Sequence, residues 1–88
     1  EAEYEGVNLS ASPNPFQNNI DLEFTLDKIS NVDVYLYDSI GRLLRSFSQG
    51  KRNGGTQSIQ LKINDLNQGI YIISLQTEGD VQSVKLIH

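Results

Sequence analysis

The sequence predicts an all-β domain, and three features carry that prediction. Apolar and polar residues alternate with a period of two over several short segments, as in strands that bury one face. Glycine, proline, asparagine and aspartate separate these segments at short intervals, which is typical of turns between strands. No stretch shows the three-to-four-residue apolar spacing of an amphipathic helix.

Seven segments are predicted as strands. The most regular lies at residues 20–26, where Ile20, Leu22 and Phe24 alternate with acidic and hydroxyl side chains. The segment 70–77 is almost continuously apolar, as expected for a central strand. In chain order, the predicted strands are residues 7–11, 20–26, 32–37, 43–47, 59–63, 70–77 and 81–87.

The connections between these segments are short and rich in turn-forming residues. Pro13-Asn14-Pro15 cannot continue a strand or a helix, because each proline fixes φ and removes a backbone donor. Residues 38–41 and 79–80 are short enough for hairpin turns, and the glycines within 50–55 predict a loop. Residues 64–67 predict one helical turn that ends at Gly69. Together, the pattern predicts a seven-stranded antiparallel β-sandwich of immunoglobulin or fibronectin type III style.

Tyr71 has a predicted structural role. It lies just inside the strand that follows Leu66 and Gly69. This is the arrangement of a tyrosine corner, in which the ring packs in the core and the hydroxyl bonds to upstream backbone. We therefore expect Tyr71 to stabilise the fold rather than to contact a ligand.

Most of the negative net charge of the chain comes from its first residues. The net charge is −4, and Glu1, Glu3 and Glu5 supply most of the acidic excess. The remainder is close to neutral, so no nucleic-acid partner is expected. Residues 1–6 are interpreted as a linker or a terminal remnant, and residues 7–88 as one folded domain. The sequence shows neither a signal peptide nor an apolar run of membrane-spanning length.

The sequence offers no set of residues suited to catalysis or metal binding. It has no cysteine, and its only histidine is the last residue, His88, where a solvated side chain is expected. The carboxylates lie on outer strand faces or in turns, without the pattern of a calcium loop. The glycines within 50–55 lack the Lys-Ser/Thr pair of a phosphate loop. We therefore expect a non-enzymatic domain with no catalytic residues, no metal and no cofactor.

Two tyrosines raise an alternative function. Tyr35 and Tyr37 are predicted on the sheet face opposite Val34 and Leu36. They could stack on sugar rings, or they could cover a half-exposed sheet as good strand formers. The alternative function is a carbohydrate-binding or accessory module of a polysaccharide-degrading enzyme.

A group of cations raises a further question about partners. Arg42, Arg45, Lys51 and Arg52 are expected in one region of strand and loop. They could meet an anionic partner, or they could form a solvated basic loop.

Four short motifs occur in order along the chain. They are Pro13-Asn14-Pro15-Phe16, then YDSIGRLL at 37–44, then LNQGIYIISL at 66–75, and finally Lys85-Leu86-Ile87. Together they resemble the C-terminal sorting domain, type A, of the type IX secretion system of Bacteroidetes. The resemblance covers residues 7–88. The chain departs from the family pattern where Ser12 replaces a tyrosine and Val84 replaces a lysine.

The resemblance implies a sorting function without catalysis. Such a domain follows a secreted cargo, passes through the periplasm and directs the cargo across the outer membrane to the cell surface or the medium. The implied partners are the type IX translocon, a sortase-like protease that removes the domain, and the upstream cargo domain. We expect the domain itself to be a monomer. The family motifs imply recognition through Gly69, Tyr71, Lys85, Leu86 and Ile87, and structural roles for Pro13, Asn14, Pro15, Asp38, Gly41 and Arg42.

Overall fold

The computed structural model describes residues 8–63 and 65–88, and these residues form seven strands and no helix. In chain order the strands are β1 (Ser10–Ser12), β2 (Asn19–Leu26), β3 (Ser30–Asp38), β4 (Leu43–Arg52), β5 (Gly55–Lys62), β6 (Ile70–Gln76) and β7 (Val81–Ile87). The predicted all-β fold with seven strands is confirmed.

The strands form two sheets. One sheet has three strands in the order β1-β2-β5, and the other has four strands in the order β4-β3-β6-β7. Every neighbouring pair is antiparallel. The chain changes sheet after β2, after β4 and after β5, so the two sheets share one core. This arrangement is consistent with an immunoglobulin-like sandwich.

The core is built from the inward half of each alternating strand. In β2, buried residues alternate with exposed ones over the whole strand, as the sequence pattern predicts. Phe16 lies before β2 and Ile63 after β5, yet both are buried, so two connections also close the core. The fully buried side chains are Phe16, Ile20, Leu22, Phe24, Val32, Val34, Leu36, Ile63, Ile73, Leu75 and Leu86.

The loop predicted over 50–55 is mostly strand. β4 continues to Arg52 and β5 begins at Gly55, which leaves two residues between them. Gly50 has a φ of 70°, and it lies where the β3–β4 register shifts between Val32 and Asp33. A glycine with positive φ fits a β-bulge, in which the strand bends and continues. The prediction failed because it treated this glycine as the end of a strand.

Two further boundaries differ from the prediction. β1 covers Ser10–Ser12 instead of 7–11, and Val7 lies outside the described residues. The helical turn predicted over 64–67 does not form in residues 65–67, and Asn64 lies outside the described residues. The chain is held differently there, since the Ile63 N–H donates to the carbonyl oxygen of Asn18 at 2.8 Å.

Candidate functional site

The four sequence motifs meet at one end of the sandwich. Asp38, at the end of β3, pairs with Tyr71 near the start of β6, and Tyr71 pairs with Leu86 near the end of β7. The segment before β2 joins them, because the Phe16 N–H donates to the carbonyl oxygen of Ile87 at 2.8 Å. We call this region the motif end and define it as residues 13–18, 38–42, 67–71 and 85–88.

The last strand, β7, lies at an edge of the four-stranded sheet, and among the described strands only β6 forms backbone ladder bonds with it. β1 of the other sheet packs near β7, where the Leu9 N–H donates to Gln82 Oε1 at 3.0 Å. His88 exchanges both of its backbone bonds with Gly69, at 2.8 and 3.4 Å. In an antiparallel pair such bonded residues alternate with residues whose backbone groups face the other way. Ser83, Lys85 and Ile87 therefore direct their N–H and C=O groups away from β6, toward the open edge.

The side chains of β7 alternate between core and solvent. Leu86 is fully buried and Val84 packs partly against the core, whereas Lys85 and Ile87 are exposed. Lys85 therefore points to the side of the sheet opposite Val84 and Leu86. A partner approaching the edge would meet the side chains of Lys85 and Ile87 and would not reach Leu86.

The segment before β2 holds the end of this edge. The Ile87 N–H donates to Asn14 Oδ1 at 3.0 Å, and the Ile87 carbonyl oxygen accepts from the Phe16 N–H at 2.8 Å. Both outward backbone groups of Ile87 are therefore paired. Sequence reasoning predicted that the Pro13-Asn14-Pro15 segment shapes a turn, but it did not predict that Asn14 holds the C-terminal strand.

Three aromatic rings pack beside this contact. The Phe16 ring lies edge-on to His88, with centroids 4.7 Å apart, and edge-on to Tyr71 at 6.2 Å. The Tyr71 hydroxyl donates to the carbonyl oxygen of Asn67 at 2.6 Å, so the predicted tyrosine corner is confirmed. The expectation of a solvated His88 is wrong, because its half-buried ring completes the aromatic cluster. The backbone pairing of Gly69 with His88 carries that ring into place.

A groove of about 730 Å³ runs along the motif end. Its lining residues are 15–18, Gln68, Ile87 and His88. Its walls are therefore prolyl, aromatic, aliphatic and amide groups, with neither a carboxylate nor an amine among them. Such a surface suits an extended polypeptide better than a charged small molecule.

The β3–β4 turn forms a rigid corner of the motif end. Asp38 Oδ1 accepts from the backbone N–H groups of Ile40 and Arg42, and its Oδ2 pairs with Arg42 Nε at 2.7 Å. The Arg42 N–H and the other bonds to its charged form lower the pKa of Asp38. Gly41 has a φ of 91°, which a residue with a Cβ adopts only with strain. The predicted hairpin turn is confirmed.

The four cations expected in one region do not act as one cluster. Arg42 is bonded within its turn, and Arg45 Nη2 pairs with Asp65 Oδ2 at 2.6 Å. The hydrogen bond from Arg45 lowers the pKa of Asp65. Lys51 and Arg52 lie at the opposite end of β4. Two of the cations are therefore neutralised, and the other two form a separate group.

Tyr35 and Tyr37 lie on the outer face of β3, as predicted, and both are half-buried. Their ring centroids are 6.5 Å apart and the rings are inclined by 43°. The two rings therefore do not form one flat platform for a sugar chain.

The described residues contain neither a membrane-spanning helix nor a metal-binding group. Within residues 8–63 and 65–88 there is no helix that is long and apolar enough to span a membrane. The same residues contain no group of three or more His, Asp or Glu side chains that could hold a metal ion.

Comparison with known proteins assigns the chain to a family. A search of curated proteins found no match. A family model described as the secretion system C-terminal sorting domain matches residues 10–88, which include all seven strands and all four motifs. The match covers nearly the whole chain, so the chain belongs to the family of type IX secretion C-terminal sorting domains.

Proposed function

We propose that this chain is a non-catalytic signal that directs an upstream cargo across the outer membrane, and that the translocon reads the open edge of β7. In this proposal residues 7–88 are the signal domain and residues 1–6 link it to the cargo. The domain passes through the periplasm as a monomer, and a sortase-like protease removes it when the cargo is attached at the surface or released.

The observation that carries the proposal is the free section of the β7 edge. Ile87 is held by the segment before β2, but the outward backbone groups of Ser83 and Lys85 have no partner among the described residues. An exposed row of strand donors and acceptors can pair with a strand of another protein. Such pairing uses backbone groups and depends little on side chains. It therefore suits a receptor that accepts many cargo proteins through one kind of domain.

The proposed recognition residues divide into two roles. Lys85 and Ile87 are exposed beside the open edge and are available for side-chain contact. Tyr71 and Leu86 are buried, so we assign them the role of holding β6 and β7 in place. Gly69 pairs with His88 and fixes the register in which Lys85 faces solvent.

The absence of catalysis in this proposal is supported by the chemistry of the motif end. Among the described residues that line the groove, His88 has the one titratable side chain, and its ring packs edge-on against Phe16. The lining residues offer it neither a nucleophile nor an acid partner. A hydrolase or transferase needs at least two such groups in contact.

The test uses a reporter fused ahead of the chain and carrying a periplasmic signal, in a host with a type IX system. Ser83→Pro removes one outward N–H from the edge and leaves the pairing with β6 intact, since proline is tolerated where an edge N–H faces solvent. Ser83→Ala is the matched control, because it changes the same side chain and keeps the N–H. Deleting residues 84–88 is less informative, because it also removes the buried Leu86.

We expect the wild-type and Ser83→Ala fusions at the surface or in the medium, and the folded Ser83→Pro fusion in the periplasm. Thermal unfolding of the purified variants shows whether each one folds. Delivery of a folded Ser83→Pro fusion at the wild-type level would disprove edge recognition. Retention of the wild-type fusion in the periplasm would disprove the sorting function itself. Fusions that begin at residue 7 or at residue 1 should be delivered equally if residues 1–6 are a linker.

A further inference from the structure

Two cations at the far end of β4 have no carboxylate partner among the residues that the structure describes. In the part of the chain that the structure describes, Arg42 and Arg45 form ion pairs, whereas Lys51 and Arg52 form none. This end of β4 lies opposite the motif end, so the positive charge there is not explained by the proposed sorting surface.

A bulge in β4 brings polar side chains together at this place. The β3 partners skip Gln49, because Val32 pairs with Gly50 and Asp33 pairs with Ser48. In a regular strand, residues three apart face opposite sides, but the extra residue in a bulge changes that alternation. Gln49 and Arg52 consequently face the same way, toward the open side of the sandwich between the edge strands β4 and β5.

The Arg52 guanidinium lies between the two sheets. Its Nη2 donates to Gln49 Oε1 on β4 at 3.3 Å, and its Nη1 donates to Gln57 Oε1 on β5 at 3.2 Å. Arg52 Nε is shielded from solvent and has no hydrogen-bond partner within residues 8–63 and 65–88. A link between two glutamine side chains needs only a neutral donor. The full positive charge therefore calls for a separate explanation, because a part-buried charged group is normally paired with an opposite charge.

A pocket of about 340 Å³ opens at this group, lined by Gln49, Lys51, Arg52, Asn53 and Gln57. Every lining side chain is cationic or an amide. We infer that this pocket binds a phosphate group, with Arg52 and Lys51 supplying charge and the amides supplying further donors. Donors from several directions match the tetrahedral array of phosphate oxygens better than a planar carboxylate, and arginine is well suited to phosphate.

The phosphate could be a free ion or part of a phosphorylated sugar, and the test separates the two. The whole 88-residue chain is titrated with inorganic phosphate and, separately, with glucose 1-phosphate, while sodium chloride keeps the ionic strength constant. Binding is followed by NMR through the Arg52 Nε–H and the Asn53 amide signals. A saturable shift of both signals is expected, and the sugar ester binds more tightly if the pocket serves phosphorylated carbohydrate.

Lys51→Gln and Lys62→Gln form a matched pair of variants. Both lysines are exposed on edge strands and both changes remove one positive charge, but Lys62 lies outside the pocket. We expect Lys51→Gln to weaken phosphate binding roughly tenfold, as for the loss of one charge-assisted hydrogen bond, and Lys62→Gln to leave it unchanged. The inference is wrong if neither ligand gives a saturable shift of the Arg52 signal. It is equally wrong if the two variants weaken binding to the same extent, because that result would mean unspecific attraction by net charge.

Discussion

Replacement of Tyr71 by phenylalanine tests how the motif end is held together. The ring is almost fully buried, at 7% exposure, and its hydroxyl donates to the carbonyl oxygen of Asn67 at 2.6 Å. Phenylalanine keeps the ring and its edge-on contact with Phe16, and it removes only the hydroxyl. The substitution therefore isolates the bond that ties the start of β6 to the preceding loop.

The expected loss follows from the surroundings of the two bonded atoms. A hydrogen bond of this kind contributes about 1 kcal/mol net, and a buried acceptor left without a partner raises the loss to about 2 kcal/mol or more. Asn67 is exposed, so water can reach its carbonyl oxygen in the variant. We therefore expect Tyr71→Phe to lower the free energy of unfolding by ~1–1.5 kcal/mol, which lowers the unfolding midpoint of a domain this size by roughly 5–10 °C.

Thermal unfolding followed by circular dichroism measures this shift, and Tyr37→Phe is the matched control. Tyr37 is half-buried on an outer sheet face, and its hydroxyl has no hydrogen-bond partner among the described residues. Its replacement should change the unfolding free energy by less than about 0.5 kcal/mol. If the two variants unfold at the same temperature, the hydrogen bond of the Tyr71 hydroxyl does not stabilise the domain, and the predicted loss of free energy is wrong.

Three further outcomes are expected. Asn14→Ala removes the acceptor for the Ile87 N–H, so it should cost ~1 kcal/mol and accelerate hydrogen exchange at that amide; unchanged exchange would contradict the contact. The pKa of Asp38 is lower in the folded protein than its ordinary 3.8, so its contribution to stability is present at neutral pH and is lost as the pH falls below about 4. In the Asp38→Asn variant, the free energy of unfolding should therefore decrease less steeply as the pH falls below about 4. A decrease as steep as in the wild type would show that Asp38 does not contribute to this pH dependence. Affinity electrophoresis with soluble neutral glycans should show no retardation, and retardation that disappears in the Tyr35→Ala, Tyr37→Ala double variant would revive the carbohydrate-binding alternative.

The features that could be predicted from the sequence are those fixed by local chemistry. Alternation in residues 20–26 identifies both the strand and its buried face, because the side-chain period of a strand is two. The Asp38 turn follows from a short polar segment with a glycine, and the corner at Tyr71 follows from its position after Leu66 and Gly69. In each case a few neighbouring residues determine the structure.

The features that escaped prediction depend on contacts between distant segments. Asn14 and Ile87 are far apart in the sequence, and no local pattern indicates that a side chain in a proline segment accepts from the last strand. His88 becomes part of a ring cluster only because Phe16 is buried nearby. The bulge at Gly50 escaped for a different reason, since a glycine between two strand-like segments predicts a turn equally well.

The contacts of Asn14 and Phe16 with Ile87 also limit how much of the β7 edge is open to other strands. An edge strand that is free along its whole length is prone to pair with strands of other molecules, which leads to aggregation. Asn14 and Phe16 close the last part of the β7 edge, whereas the outward backbone groups of Ser83 and Lys85 have no partner in the described part of the chain. A short open section limits unspecific pairing and still offers backbone groups beside an exposed cation. We therefore expect Asn14→Ala to widen the open edge and increase self-association of the purified domain in sedimentation experiments, and Ser83→Pro in the same chain to suppress that increase. A monomeric Asn14→Ala domain at high concentration would show that the contact between Asn14 and Ile87 does not protect the edge.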